Sequence, residues 1–305
     1  MGEIVAAIFT THVPRLMIHD PEARRAYMGK NVTTFYEAME ELERRHLHAL
    51  EFDTFALVDT HWFTTLEYIL NAGERLAGLY TSEELPRMIH EYAFDYRGDP
   101  ELARAIAETA NARGVRAIAA AWRNLPLHYP TLNVMHYFNP GARRRVLSMG
   151  VCQTAAIAND LAFGAAMGEA IRASNRRVVL IAAGGLSHRF WDYDHALQRA
   201  SASPEDISSL ANRRYDEKLM EWFKSGRHDE FLRAAPEYRV ECSPEGRFSH
   251  YLMMAGAMGG ESWNWRGEQF GRYEAALGTG QAIFYFAPPA AGAHQGAQAH
   301  TGGAK

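Results

Sequence analysis

Two histidines in this chain sit in the same local setting. His12 follows the apolar run from Ile4 to Phe9 in Thr10-Thr11-His12-Val13-Pro14, and His61 follows the run from Phe52 to Val58 in Asp59-Thr60-His61-Trp62. Imidazoles delivered from neighbouring strand ends can share a metal ion even when they are far apart in sequence. The bland alternative is a pair of ordinary loop histidines. A carboxylate added to two imidazoles makes the three-donor face that holds Fe(II) and leaves adjacent positions open. Glu241 and Glu245 are the late candidates for that carboxylate. Glu245 opens an expected helix in Ser243-Pro244-Glu245-Gly246, where an acidic residue also simply favours the helix dipole. Position alone leaves the choice open.

A third histidine closes Gly184-Gly185-Leu186-Ser187-His188. A strand running into glycines suggests a phosphate loop, but neither GxGxxG nor GxxxxGK[ST] is present. Gly185-Leu186-Ser187-His188-Arg189 also lacks the final glycine of a nucleophile elbow. What remains is a histidine exposed at a strand end by small residues, suited to general acid/base work near its own pKa, or else a loop histidine that caps the next element. Leu127-His128-Tyr129-Pro130-Thr131 offers an imidazole and a phenol beyond another strand, as site groups or as rim decoration. The aromatic cluster from Trp263 to Trp265 reads as structural packing.

The elements around these residues alternate. Strands are expected at 4–9, 52–62, 68–72, 115–121, 145–152, 177–183 and 281–287, each an apolar run bounded by turn residues. Helices are expected at 32–50, 100–113, 155–174, 204–225 and 245–259, with Gly114 closing the second and Pro204 in the first turn of the fourth. This βα rhythm predicts a single-domain α/β fold, an open mixed sheet flanked by helices on both faces, with its site outside the strand carboxyl ends. One domain is expected over residues 1–287. After Pro288-Pro289 the composition collapses into Ala, Gly, Gln, His and Thr, so 288–305 reads as a low-complexity tail, disordered from about 290.

Composition narrows the chemistry further. The 305 residues carry 32 basic and 36 acidic side chains, a formal charge of −4. The longest purely basic run is Arg143-Arg144-Arg145, so nucleic acid is not an expected partner. No stretch is apolar enough to cross a bilayer. Only two cysteines occur, Cys152 and Cys242, beside 14 histidines, which points to imidazole and carboxylate metal ligands and to a reducing compartment. Glu3 stands where a secretory signal wants positive charge, and the expected location is cytoplasmic.

The runs around His12 and His61, with Tyr80-Thr81-Ser82-Glu83-Glu84-Leu85-Pro86, Gly185-Leu186-Ser187-His188-Arg189-Phe190 and Gly278-Thr279-Gly280-Gln281, together resemble the type III extradiol ring-cleavage dioxygenases. Within that superfamily the likeness is greatest to the branch acting on 3,4-dihydroxyphenylacetate (homoprotocatechuate), and it covers residues 1–287 in order. The resemblance implies Fe(II) held by His12 and His61, with Glu245-Gly246 matching the family's carboxylate better than Glu241. It implies His188 as acid/base and O2 as co-substrate. Where many relatives carry a second catalytic histidine this chain has Tyr129, as the homoprotocatechuate and aminophenol types do. His128 is an unexpected neighbour, and Pro130 replaces a common glycine.

The expected reaction is therefore cleavage of a catechol ring beside its diol to a muconic semialdehyde. A substrate carboxylate would call for arginine, and Arg189 and Arg247 lie nearest the motifs, with His128 as a further rim candidate for substrate binding. Dioxygenases for 2-aminophenol, protocatechuate or another substituted catechol are the alternatives of the same class. A silent scaffold subunit and a zinc hydrolase with the same ligands are those of different classes. A homo-oligomer is expected from the family likeness.

Overall fold

The computed structural model describes residues 1–28 and 33–289 of the chain. Its strands are β1 (Glu3–Thr10), β2 (Thr54–Thr64), β3 (Tyr68–Asn71), β4 (Arg75–Tyr80), β5 (Tyr92–Arg97), β6 (Ala117–Ala120), β7 (Arg145–Cys152), β8 (Arg177–Ala183), β9 (Gly267–Ala276) and β10 (Thr279–Phe286). Its helices are α1 (Pro21–Met28), α2 (Phe35–Leu42), α3 (Pro100–Ala112), α4 (Tyr129–Phe138), α5 (Ile157–Ala173), α6 (Tyr193–Ala196), α7 (Leu210–Ser225), α8 (His228–Cys242) and α9 (Ser249–Ala257).

Eight strands form one mixed sheet in the order β6-β3-β7-β2-β8-β1-β10-β9. The centre, β7-β2-β8-β1, is parallel, and β10 and β9 continue it antiparallel. Alternate residues feed two cores. Ala56, Val58, Val178 and Leu180 pack with Ile106, Phe163, Tyr238 and Met253 on the face of α3, α5, α8 and α9. Phe55, Leu57, Val179 and Ile181 pack with Phe35, Met39 and Leu132 on the face of α2 and α4. The chain is thus a single α/β domain with both sheet faces covered. Among the described residues, no helix is long and apolar enough to cross a membrane.

The expected bounds hold to the residue for β7 and β8. Several others shift. The helix expected over 32–50 is α2 followed by a wider π turn at Glu43–Leu47; Val32 lies outside the described residues. Pro204 opens a short 3-10 turn (Pro204–Asp206), whereas α7 begins at Leu210 with Ser209 as its cap, the Ser209 hydroxyl accepting from the Asn212 amide at 3.1 Å. The β4–β5 hairpin, α4, α8 and β9 were not among the expected elements. Residues 290–305, the body of the expected disordered tail, lie outside the described residues.

Candidate metal centre

β2, β8 and β1 are neighbours, and their carboxyl ends deliver His61, the Gly184–His188 loop and His12 to one place. His12 lies just past β1, where Asn133 of α4 donates to the His12 carbonyl at 2.9 Å and the Thr11 hydroxyl donates to Gln281 at 2.5 Å. His61 arrives by a different device. The β2–β7 register jumps from Asp59 opposite Gly150 to Phe63 opposite Val151, so Thr60, His61 and Trp62 bulge out of the ladder. Such a bulge re-aims side chains. Gly150 makes room for it, since a Cβ there would stand 2.6 Å from the Trp62 carbonyl oxygen. The buried Asp59 carboxylate fixes it, accepting from the His61 amide at 2.9 Å and from the Thr131 amide and hydroxyl at 3.0 and 2.6 Å. That carboxylate ties the bulge to the first turn of α4, which carries Tyr129.

Glu245 does not open a helix. It begins a tight turn in which Gly246, Arg247 and Phe248 all have positive φ (53°, 57° and 62°), and α9 starts only at Ser249. Left-handed backbone at two non-glycine residues is costly and gathers at functional sites. Here it turns the Glu245 side chain back toward β2 and β8. The Thr60 hydroxyl donates to Glu245 Oε1 at 2.6 Å and the Gly185 amide to Oε2 at 2.6 Å.

His12, His61 and Glu245 each offer a ligand atom, and these atoms lie within 4.8 Å of one another. His12 Nε2 is 3.0 Å and His61 Nε2 3.6 Å from Glu245 Oε1, and the two imidazole planes stand at 89°. Donors about 3 Å apart are what metal–ligand bonds of ~2.0–2.2 Å to a shared ion require. The charges fit as well. Burial pushes the Glu245 carboxyl up, but the imidazoles of His12 and His188 prevail and hold it well below the usual range. Burial pushes His61 down, but hydrogen bonds to Glu245 and Glu84, with Asp59 nearby, hold it up at about 10. A divalent cation bound between these donors would neutralise the buried carboxylate and compete with protons for the imidazoles.

His188 stands beside this cluster, its Nδ1 3.5 Å from Glu245 Oε2 and without a hydrogen bond. Burial lowers its pKa, opposed by Glu245 and aided by His12 and His61. The Tyr129 hydroxyl is 3.0 Å from His61 Nε2, and burial, with Glu84 and Glu245 near, pushes its pKa well above 10. The other sequence candidates make contacts of their own. Arg189 donates to the Glu241 carbonyl and Arg247 to the Gln153 carbonyl, both from exposed positions, and Glu241 is exposed at the end of α8. His128 precedes α4, with its ring 6.3 Å from Trp62. Trp263 packs in the core, stacked on His228 at 3.6 Å. Sequence reasoning assigned no part to Glu84, whose carboxylate reaches His61 Nδ1 at 3.3 Å from the β4–β5 loop, nor to Asp59. A carboxylate in the otherwise apolar run of β2 was the available signal for Asp59.

Known proteins resemble this chain in sequence or in fold. Residues 6–287 match the family model described as the catalytic LigB subunit of aromatic ring-opening dioxygenase. The chain is 31% identical to the 3,4-dihydroxyphenylacetate 2,3-dioxygenase of Escherichia coli, over 87% of this chain and 93% of that one. It is 24% identical to the 2-aminophenol 1,6-dioxygenase beta subunit of a Pseudomonas species, over 92% and 93%. A solved structure of an uncharacterized Escherichia coli K12 protein shares the fold, with a TM-score of 0.58, 15% identity and coverage of 92% and 99%. The chain therefore belongs to the LigB family and is an extradiol ring-cleavage dioxygenase.

Proposed function

We propose that the enzyme opens a catechol of the 3,4-dihydroxyphenylacetate type with O2, using Fe(II) held by His12, His61 and Glu245. The observation that carries this reading is the convergence of the three donors beside His188, a free imidazole, in a chain 31% identical to an enzyme of that name. Bound iron would supply Lewis acidity toward a catechol oxygen and electron transfer between the ring and dioxygen. The protein's own groups do the rest. His12 and Glu245 are themselves buried, so water competes little for their donor atoms. His188 takes a proton from a substrate hydroxyl at its unpartnered Nδ1 and returns it as the ring opens. Burial raises the Tyr129 pKa, which suits the phenol to donate a hydrogen bond to a substrate oxyanion. The product would be a muconic semialdehyde, formed in the cytoplasm by a homo-oligomer.

The test is anaerobic Fe(II) loading followed by a panel of catechols and 2-aminophenol, with oxygen uptake and product absorbance as readouts. A catechol should turn over fastest, and His12→Ala should lose both iron and turnover. Turnover of 2-aminophenol alone would move the chain to the aminophenol type. Oxygen uptake with none of the panel, or iron retained at full turnover in His12→Ala, would overturn the reading.

A further inference from the structure

The loop that carries His188 is held at every amide. Gly184 N–H donates to the Thr10 carbonyl at 3.0 Å, Gly185 to Glu245 Oε2 at 2.6 Å and Leu186 to the Gly280 carbonyl at 2.8 Å. Ser187 donates to Asp216 Oδ1 at 3.0 Å and His188 to the Cys242 carbonyl at 3.2 Å. Four of these anchors are backbone carbonyls or the candidate ligand Glu245. The fifth, Asp216, belongs to none of the machinery described above, and it is the most unusual group among them.

Asp216 lies on α7, wholly buried. Its carboxylate accepts four hydrogen bonds: the Ser187 amide (3.0 Å) and Tyr238 hydroxyl (3.0 Å) at Oδ1, and the Ser187 hydroxyl (2.6 Å) and Tyr273 hydroxyl (2.7 Å) at Oδ2. None of these partners is a cation. A buried carboxylate paired only with neutral donors is an expensive group to keep, and burial holds its pKa up at about 6 in spite of them. Gly280 has no room for a Cβ, which would fall 2.0 Å from Asp216 Oδ2, and its amide donates to the Ser187 carbonyl at 2.9 Å. Amide, hydroxyl and carbonyl of Ser187 are thus all fixed, the first two by Asp216. Ser187 is the residue immediately before His188. A side chain in the core with one polar neighbour would not need this arrangement. One that must hold a single backbone position from α7, α8 and β9 at once would.

We propose that Asp216 is the positioning residue of His188: through Ser187 it fixes the backbone from which the imidazole reaches the cluster. This rests on the acid/base role proposed for His188 and adds the group that makes that role geometrically reproducible. A shift of a reacting group by ~1 Å can cost ~10²-fold in rate, which sets the scale for losing the anchor.

The experiment uses the Fe(II)-loaded full chain with a catechol substrate, and compares Ser187→Ala, Asp216→Ala and Asp216→Asn, each alone and in a His188→Phe background. Ser187→Ala should lower kcat ~10-fold and Asp216→Ala ~10²-fold, with KM and the anaerobic Fe(II) dissociation constant within twofold of the parent. Asp216→Asn keeps the shape and can satisfy the same partners once two hydroxyls reverse, so it should restore most of the rate lost in Asp216→Ala. In the His188→Phe background none of the three should cost anything further, because groups that act through one another are not additive. Crystal structures of the variants should show the His188 Nδ1 to Glu245 Oε2 distance lengthened from 3.5 Å. Full losses on top of His188→Phe, weakened iron binding, or unchanged kcat in Ser187→Ala would each overturn the proposal. Should Asp216→Ala fail to fold, Ser187→Ala and Asp216→Asn decide it alone. Full turnover in His188→Phe itself would instead overturn the acid/base role of His188, and the Asp216 proposal with it.

Discussion

Two buried carboxylates flank the same loop, and their surroundings are opposite. Glu245 takes the amide of Gly185 and faces His12, His61 and His188; Asp216 takes the amide of Ser187 and faces three hydroxyls. Burial pushes both up. Imidazoles reverse the push at Glu245, and hydroxyls do not at Asp216. Burial therefore does not decide what a carboxylate is for. Neighbours whose protons an ion could displace suit Glu245 to the ligand role proposed for it, whereas neutral donors that nothing displaces suit Asp216 to the fastening role proposed for it.

The sharpest way to break this contrast is to remove Glu245. Glu245→Ala takes away the anion that three imidazoles face, so Fe(II) binding should be lost and turnover should fall by at least ~10³-fold, beyond the ~10–100-fold typical of outer-shell changes. Iron content after anaerobic loading, with oxygen uptake, checks it. A variant that keeps stoichiometric iron would put Glu245 in the same class as Asp216.

The second prediction concerns pH. The folded-state carboxyl of Asp216 is raised from 3.8 to about 6, so between these values the folded chain binds a proton that the unfolded chain does not. Stability linked to Asp216 is then full below pH 4 and is lost as pH rises through about 6. The loss is on the order of 3 kcal/mol. Glu245, lowered, tilts the other way: its contribution is present above the unfolded value and is lost in acid. In denaturant titrations of Asp216→Asn and the parent, the variant-minus-parent unfolding free energy should grow by about this amount from pH 4 to pH 7. A flat difference would mean that the hydroxyls stabilise the ionised form after all.

The same contrast explains what could be read from the chain. β7 and β8 were legible because apolar runs bounded by turn residues have few other options. The β4–β5 hairpin was not, because RLAGLY and YAFDYR alternate only loosely and expose most of their residues. α4 is buried almost all round and so shows no stripe, and α8 carries Pro236 inside it. His12, His61 and His188 were visible because a histidine at a strand end is a local fact. The turn at Glu245 was invisible, since left-handed backbone at Arg247 and Phe248 runs against their propensities and is imposed by packing. Asp59 and Asp216 were silent for a related reason. Their partners Thr131, Ser187, Tyr238 and Tyr273 are adjacent only after the sheet has formed.

The smallest effect separates two carboxylates that both hold His61. Asp59 is buried and accepts from the His61 backbone, so its neighbours resemble those of Asp216; Glu84 is half-exposed and meets the His61 ring at Nδ1. If neutral, buried partners mark a fastening, Asp59→Asn should misplace the bulge and weaken Fe(II) binding by ~10–100-fold. Glu84→Gln should weaken it only a few-fold, because water already screens that carboxylate and can take its place at Nδ1. Anaerobic Fe(II) titrations of the two variants rank them directly. A larger loss in Glu84→Gln would mean that the ring's outer hydrogen bond, rather than the backbone of the bulge, sets the ligand's aim, and the distinction drawn between Glu245 and Asp216 would then not extend to the residues behind them.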